Sequence, residues 1–303
     1  MLTALSMGFQ LKAQENTHFS QGIFNQAYVN PAYAGSAGNL FQATGAMRME
    51  MVGFEGSPTT SILTVHGGIG AIHGGIGISI FNDKLGYYSM PGVSFSYAFR
   101  FKLWDGNFAL GLSAGLVNSS INGTQWKYPD GSGSSDPAIP TQDESGVNPD
   151  FGIGAYYDNG DFFAGISCMH LTGTKITKTD KQSRLPQVAH AIAGYNFMLS
   201  DPRFQIRPYV YASTDFAISH YSLGAHVFYQ NKLWGGLSYR WNEAVVGNVG
   251  FEIFGGVKIG YAYDFTITRA RQGSKGAHEI VLNYNFTLAT EKRKQQYRSV
   301  RYL

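Results

Sequence analysis

The sequence predicts an all-β protein, a transmembrane antiparallel up-and-down β-barrel of about 14 strands whose two termini face the periplasm. Three observations favour this fold class. Only 14% of the 303 residues are charged, against roughly 25% in an average soluble domain. Glycine and aromatic residues are abundant, at 38 Gly and 15% Phe, Trp and Tyr. Large apolar residues also alternate with smaller or polar ones, as in strands between lipid and a polar interior.

The first residues are typical of part of a secretory signal peptide. An apolar stretch over residues 2–9 precedes Ala13, a small residue that suits a cleavage site, although a basic start is missing. A short amphipathic helix is the alternative interpretation. We expect residues 1–13 to be a partial signal peptide and residues 14–36 to form an N-terminal periplasmic or lumenal segment.

Alternating segments bounded by turn residues recur down to residue 286 and predict a barrel over residues 37–286. Two clear examples are residues 221–229 and 257–265, where one face is aliphatic or aromatic. A soluble sandwich would carry many Lys and Glu on that face. At roughly 18 residues per strand and connection, the stretch holds about 14 strands. We expect them near residues 40–50, 59–67, 74–81, 91–102, 108–118, 150–157, 161–169, 187–197, 204–213, 220–229, 233–241, 245–254, 257–266 and 277–286.

The connections fall into two kinds. Four short turn signals lie at residues 105–107, 158–161, 200–203 and 230–232. Longer polar stretches lie between them, at residues 119–150, 171–187 and 267–276. Alternation of tight periplasmic turns with long outer loops is typical of outer-membrane barrels. An even strand number would then leave the basic tail, residues 287–303, in the periplasm.

A repeated glycine motif invites a chemical interpretation that its spacing does not support. His66-Gly67-Gly68-Ile69-Gly70 recurs at residues 73–77. A phosphate loop needs a third glycine at a fixed position and a following helix, and neither is present here. We therefore expect a hairpin whose glycines let two strands bend and pack closely, rather than a two-histidine metal site.

The remaining chemistry-bearing residues predict no catalytic, metal or cofactor site. Cys168 is the single cysteine, and the Cys and His residues lack zinc spacing. An outer-membrane enzyme would need a polar lumen residue such as Ser222 or His226. The basic excess is confined to the tail, so we expect no nucleic acid partner. Charges of both signs should line the lumen and pair there: Arg48, Glu50, Arg207, Arg240, Glu252, Lys258 and Asp264.

Polar connections and the tail supply the candidate partner-binding residues. On the outer side these are the acidic residues Asp130, Asp136, Asp143 and Glu144 and the basic residues Lys175, Lys178 and Lys181. The acidic stretch lacks the residue order of a calcium loop. On the periplasmic side they are Lys292, Arg293, Arg298 and Arg301.

Several blocks, in this order, resemble the PorP/SprF family of outer-membrane barrels of the type IX secretion system of Bacteroidetes. They include Asn30-Pro31-Ala32-Tyr33-Ala34-Gly35, residues 48–60, residues 82–86, residues 259–265 and residues 278–286. Family members usually have Arg-Asn-Gln-Trp where this chain has Arg48-Met49-Glu50-Met51. The matching positions, expected to be structural or to contact partners, are Asn30, Pro31, Ala32, Gly35, Arg48, Gly53, Phe54, Gly56, Pro58, Asn82, Asp83, Gly86, Tyr263, Asp264, His278 and Glu279.

The resemblance implies a non-enzymatic protein of the outer membrane, embedded in lipid. It implies a part in type IX secretion or gliding motility, in which the barrel anchors or helps to export a large surface adhesin. The expected partners are the C-terminal domain of that adhesin outside the cell and secretion-ring or peptidoglycan-binding components in the periplasm. A passive outer-membrane channel or a solute-binding barrel is the alternative.

Overall fold

The computed structural model describes residues 19–125, 142–173, 185–268 and 275–287. Short helical turns come first, with α1 at Gln26–Val29, and strands make up most of the rest. The strands are β1 Leu40–Met49, β2 Thr59–Ile69, β3 Gly74–Leu85, β4 Tyr88–Leu103, β5 Gly106–Ile121, β6 Glu144–Asp158, β7 Phe162–Met169, β8 Val188–Tyr195, β9 Phe197–Met198, β10 Phe204–Thr214, β11 Ser219–Tyr229, β12 Leu233–Arg240, β13 Ala244–Phe254, β14 Val257–Thr266 and β15 Ala277–Thr287.

The sheet closes on itself. Each strand pairs antiparallel with its neighbours, and β15 pairs with β1 from Leu40 opposite Thr287 to Met49 opposite His278. Strands β8 and β9 both pair with β10, so they act as one strand interrupted at Asn196. The structure therefore confirms the predicted 14-strand antiparallel barrel. A closed ladder has no free edge, and its main-chain hydrogen bonds can be satisfied inside hydrocarbon.

The two faces of the sheet differ as the alternation predicts. Outward residues are large and apolar, for example Leu112, Ile166 and Leu237, which are 63%, 64% and 69% exposed. Inward residues are small, polar or packed against a part of the chain that lies inside the barrel. Residues 221–229 follow this pattern, with Leu223 exposed on the outside and His226 buried inside. Such an apolar exterior suits contact with lipid.

The barrel has two distinct ends. At the turn end lie Leu40, Thr287 and the tight connections that follow β2, β4, β6, β9, β11 and β13. At the loop end lie the connections that follow the other strands, including the long stretches after β5 and β7. Short and long connections do not alternate throughout the barrel. At the loop end, a turn of two residues, Gly86 and Tyr87, joins β3 to β4. A main-chain hydrogen bond from Gly86 to Gly56, 2.9 Å, ties this tight turn to the β1–β2 connection.

Aromatic rings form a belt near the turn end. Ring centroids of Phe101 and Phe108 lie 5.5 Å apart, and those of Phe204 and Tyr229 lie 4.9 Å apart. Trp104, in the β4–β5 turn, is 85% exposed. Amphipathic rings gather at the boundary between membrane and water, so this belt indicates where the apolar exterior ends.

Among the described residues, none of the helices has both the length and the apolar character needed to cross a membrane. The expected signal peptide, residues 1–13, lies outside the described residues, as do residues 14–18 and the tail from residue 288.

Candidate functional site: the occupied lumen

Residues 19–39, here called the lumen segment, lie inside the barrel before β1 begins. The side chains of Gln21, Asn25 and Ala32 are at most 1% exposed there. The segment folds as short helical turns, since Pro31 starts a turn and Asn30 caps it by accepting a hydrogen bond from the Ala32 N–H at 2.9 Å. It runs from the loop end, where Ser20 lies, to the turn end, where β1 starts.

Five residues at the loop end form a hydrogen-bonded cluster, here called the loop-end network: Ser20, Arg48, Arg240, Asp264 and Glu279. Glu279 accepts two consecutive main-chain N–H groups, from Ser20 at 2.6 Å and from Gln21 at 2.8 Å. The Ser20 hydroxyl donates to Asp264 at 2.6 Å and accepts from both arginines, at 2.8 and 3.2 Å. The first described residues of the chain are thereby fixed to four strands, β1, β12, β14 and β15, and lie at the loop end.

The charges in this network balance. Asp264 pairs with Arg48 at 2.7 Å and with Arg240 at 3.2 Å, and Arg48 also reaches Glu279 at 3.4 Å. All four charged groups are nearly inaccessible to water. Buried charges are tolerated only when they are paired and hydrogen-bonded. The start of the lumen segment is therefore bound by a cluster of buried charges, each of which is paired within the cluster.

The network continues toward the mouth of the barrel through two carboxylates. Glu50 pairs with Arg48 at 2.7 Å, and Glu243, in the β12–β13 connection, pairs with Arg240 at 2.6 Å and His220 at 3.1 Å. Burial would raise the pKa of Glu243, but its hydrogen bonds to His220 and Arg240 lower that pKa to about 2. A cavity of about 360 Å³ opens here, so the outer edge of the network lines the mouth.

The turn end holds the lumen segment by shape and by main-chain contacts. We call Gly68, Gly75, Arg100 and Gly111 the turn-end seat. Arg100 donates to the carbonyl oxygens of three consecutive residues, Ala32, Tyr33 and Ala34, at 3.0, 3.2 and 3.0 Å. A Cβ atom on Gly111 would lie 2.1 Å from the Ala32 nitrogen, and one on Gly75 would lie 2.2 Å from the Ala34 oxygen. Only glycine allows this approach.

Between these two ends, the wall also contacts the segment through polar main-chain groups. The Asn30 amide donates to the carbonyl oxygens of Ala155 at 3.1 Å and Ile166 at 3.3 Å. The Ser167 hydroxyl donates to the Val29 carbonyl oxygen at 2.6 Å. These bonds connect the middle of the segment to β6 and β7.

Aromatic packing fills the rest of this space. The ring centroids of Tyr28 and Phe81 lie 5.7 Å apart, and those of Phe24 and Trp234 lie 5.0 Å apart. Such ring pairs add to the stabilisation from apolar burial. The lumen segment is thus packed against β3 on one side and β12 on another.

Part of the segment fits the wall less well. A cavity of about 40 Å³ lies between it and strands β7 to β12. The side-chain amides of Gln21, Asn25 and Gln26 each have at least one buried atom without a protein hydrogen-bond partner. Buried polar groups left unpaired cost roughly 1–3 kcal/mol each. The segment therefore carries a local cost at these amide side chains, although its main chain is bound at both ends.

The structure brings some of the family-like residues together and leaves others apart. Asn30, Pro31, Ala32 and Gly35 lie in the lumen segment, and Arg48, Asp264 and Glu279 lie in the loop-end network. Gly53, Phe54, Gly56 and Pro58 form the β1–β2 connection, which touches Gly86. Asp83 accepts a hydrogen bond from Thr60, and Asn82 accepts one from Ser89. Tyr263 and His278 pack together on the outer face, with ring centroids 4.9 Å apart.

Few of the candidate partner-binding residues can be placed. Asp143 is the last residue of the β5–β6 connection and accepts a hydrogen bond from the Thr124 hydroxyl at 2.9 Å, and Glu144 begins β6. The others lie outside the described residues: Asp130, Asp136, Lys175, Lys178, Lys181, Lys292, Arg293, Arg298 and Arg301.

The histidine–glycine repeat forms the expected close-packed hairpin. His66 is buried, with its ring 5.4 Å from that of Tyr33, while His73 is exposed in the turn that joins β2 to β3. The two rings therefore do not share a site. Among the described residues, no group of three or more His, Cys, Asp or Glu side chains is placed to hold a metal ion.

One pattern that sequence reasoning missed is Gly-x-Ser-x-Gly at residues 111–115. In hydrolases this pattern forms a sharp turn between a strand and a helix. Here it lies within β5, and Ser113 faces the lumen. Sequence reasoning also missed Ser20 as a contact of the barrel wall, and Arg100 and Ser167 as contacts of the lumen segment.

Comparisons with known proteins give distant structural alignments and one family match. The solved structures that align include the Ralstonia pickettii toluene transporter TbuX, with a TM-score of 0.49, 12% identity, and coverage of 86% of this chain and 92% of that chain. The Acinetobacter baumannii outer membrane protein Omp33 aligns with a TM-score of 0.45, 12% identity, and coverage of 82% and 97%. A search of curated protein sequences gives no significant match.

A family model gives the decisive result. The model described as "Type IX secretion system membrane protein PorP/SprF" matches residues 11–284, which confirms the resemblance noted in the sequence. The closed ladder and apolar exterior fit a location in the membrane. The chain therefore belongs to the PorP/SprF family of type IX secretion system membrane proteins and lies in the bacterial outer membrane.

Proposed function

We propose that the chain is a non-enzymatic barrel that anchors a large surface adhesin, or helps to export it, within the type IX secretion or gliding machinery. The observation that carries this proposal is the occupied lumen. The lumen segment is fixed at the loop end by Glu279 and at the turn end by Arg100. A barrel filled in this way suits an anchor better than a passive channel.

A closed barrel is also a sound anchor in physical terms. Pulling it from the bilayer would expose its apolar exterior to water and would break ladder pairing that closes through β1 and β15. A load applied to one strand is shared with its neighbours through the ladder. Force on a surface adhesin could therefore be carried without extracting the barrel.

In this proposal the loop end faces the exterior and the turn end faces the periplasm. The connections after β5 and β7 contact the C-terminal domain of the adhesin, with Asp143 and Glu144 at their described edge. The mouth cavity, lined by Glu50 and Glu243, opens at the same end of the barrel. The basic tail, residues 287–303, contacts secretion-ring or peptidoglycan-binding components on the periplasmic side.

The test is affinity purification of the tagged barrel from its native host in mild detergent. The expected result is recovery of a very large surface protein or of secretion components. A matched control is an unrelated outer-membrane barrel of similar abundance carrying the same tag. Recovery of neither class above the control would contradict the proposal.

Conductance in planar bilayers separates the anchor from a passive channel or a solute-binding barrel. The occupied lumen predicts a silent barrel, whereas steady open-channel current would favour the channel. A catalytic role would instead require turnover that disappears when one lumen residue, such as Ser222 or His226, is replaced.

A further inference from the structure

Several contacts of the lumen wall are made to the main chain of the lumen segment, in addition to those made to the Ser20 hydroxyl and the Asn30 side-chain amide. Glu279 binds two consecutive N–H groups, and Arg100 binds three consecutive carbonyl oxygens. Ser167 binds one more carbonyl oxygen, that of Val29. Main-chain donors and acceptors are common to almost all residues. These contacts therefore do not depend on the side chains of residues 20–21, 29 or 32–34.

The glycines of the turn-end seat lead to the same conclusion. At Gly68, an added Cβ atom would lie 2.3 Å from the Gly38 carbonyl oxygen. At Gly111 and Gly75, it would likewise meet main-chain atoms of the segment, those of Ala32 and Ala34. The wall therefore lacks side chains at these positions, which lets a polypeptide backbone approach closely.

The lumen segment does not use this wall fully. Both amide atoms of Gln21 and of Asn25 are buried without a protein partner, and the 40 Å³ cavity lies beside Asn25 and Gln26, on the side that faces β7 to β12. An occupant without such unpaired amide groups would avoid the cost of burying them. Competition between two occupants of one site is therefore physically reasonable.

We infer that the lumen wall is a binding site for polypeptide main chain, in which a short segment of another protein can replace residues 19–39. That the other protein is the secreted client rests on the proposed function. The contacts that define the site are those of Glu279, Arg100 and the glycines of the turn-end seat.

The test uses a fluorescent synthetic peptide with the sequence of residues 19–39 and the full-length barrel in lipid nanodiscs. The barrel carries Val29→Cys and Ser167→Cys, two positions in direct contact, with Cys168→Ser. Reduction leaves the lumen segment free to exchange, and oxidation locks it to β7 in the same protein. Mass spectrometry verifies the disulfide, and heat-modifiable electrophoretic mobility verifies that the barrel is folded.

The expected result is saturable peptide binding in the reduced state and at least about tenfold weaker binding in the oxidised state, because the site is then blocked. A second peptide, methylated at the main-chain nitrogens of Ser20 and Gln21, should bind at least about tenfold more weakly to the reduced barrel. Each lost bond to a charged group contributes roughly that factor.

Three results would overturn the inference: an absence of saturable binding to the reduced barrel, equal binding in both redox states, or equal binding of the methylated peptide. None of them would bear on whether the barrel recovers a surface adhesin from cells. Failure of this inference is therefore distinguishable from failure of the proposed function.

Discussion

The two ends of the lumen hold the same segment by different physical means. At the loop end, buried arginines and carboxylates surround Ser20 and are balanced only as a set. At the turn end, glycines let the backbone approach the wall, and Arg100 binds only carbonyl oxygens. The loop end is therefore sensitive to the loss of a charge, whereas the turn end is sensitive to added atoms.

Replacing Arg48 with Met should give the largest effect. The change leaves Asp264 and Glu279 with one guanidinium fewer, and breaking a buried ion pair costs about 3–5 kcal/mol. We expect the free energy of unfolding in lipid vesicles, followed by tryptophan fluorescence in denaturant, to fall by about that amount. Arg203→Met is the control, since Arg203 pairs with Asp201 on an exposed turn. Equal effects of the two changes would contradict the loop-end network.

Replacing Ser20 with Ala should have a smaller effect at the same end. The hydroxyl donates to Asp264 and accepts from both arginines, and hydrogen bonds to charged groups contribute about 1.5–3 kcal/mol. We expect a loss of that size in the same unfolding measurement. Ser57→Ala removes an exposed hydroxyl from the loop end and should change stability by less than about 0.5 kcal/mol.

Replacing Gly111 with Ala tests the turn end. The new methyl group would meet the Ala32 nitrogen at 2.1 Å, and overpacking typically costs about 1–3 kcal/mol. We expect that loss of stability, together with faster proteolysis within residues 19–39. Gly45→Ala is the matched control, because its methyl group would have its nearest neighbour at 3.9 Å. Unchanged proteolysis in the Gly111 variant would contradict the steric account.

Replacing Glu243 with Gln should give the smallest effect, about 1 kcal/mol or less, because the pair with Arg240 is partly open to water. The pKa of Glu243 is lowered from 4.5 to about 2 in the folded state. Its stabilisation is therefore complete above about pH 4.5 and is lost as the pH falls toward 2. The variant should lose that part of the acid dependence. If the free energy of unfolding of the variant fell between pH 5 and pH 2 by as much as that of the unmodified protein, the result would contradict the assignment.

Sequence reasoning predicted the wall of the barrel well and its contents poorly. Strand faces follow from a period of two, so Leu223 and His226 could be assigned to opposite faces before any coordinates were known. The predicted strands overlap all the observed ones. The β5–β6 connection was expected at residues 119–150 but is shorter, because β5 extends to Ile121 and β6 begins at Glu144.

The lumen contacts could not be found in the same way. Ser20 and Asp264 are 244 positions apart in the chain, and no local pattern links residues so distant. Arg100 lies on a strand whose alternation suggests only that it faces inward. One usable signal was present: the inward positions Gly111 and Gly154 are glycines. Both are places where the wall meets the lumen segment.

The most direct test of the account compares two adjacent residues of β7 in lipid bilayers. Cys168 faces outward, and Ser167 faces inward against Val29. A spin label is attached to native Cys168 or, with Cys168→Ser, to Ser167→Cys. At position 168 we predict frequent collisions of the label with oxygen and rare collisions with a water-soluble nickel chelate. At position 167 we predict rare collisions with both. Preferential access of the nickel chelate at position 168, or free access at position 167, would contradict a lipid-facing barrel with an occupied lumen.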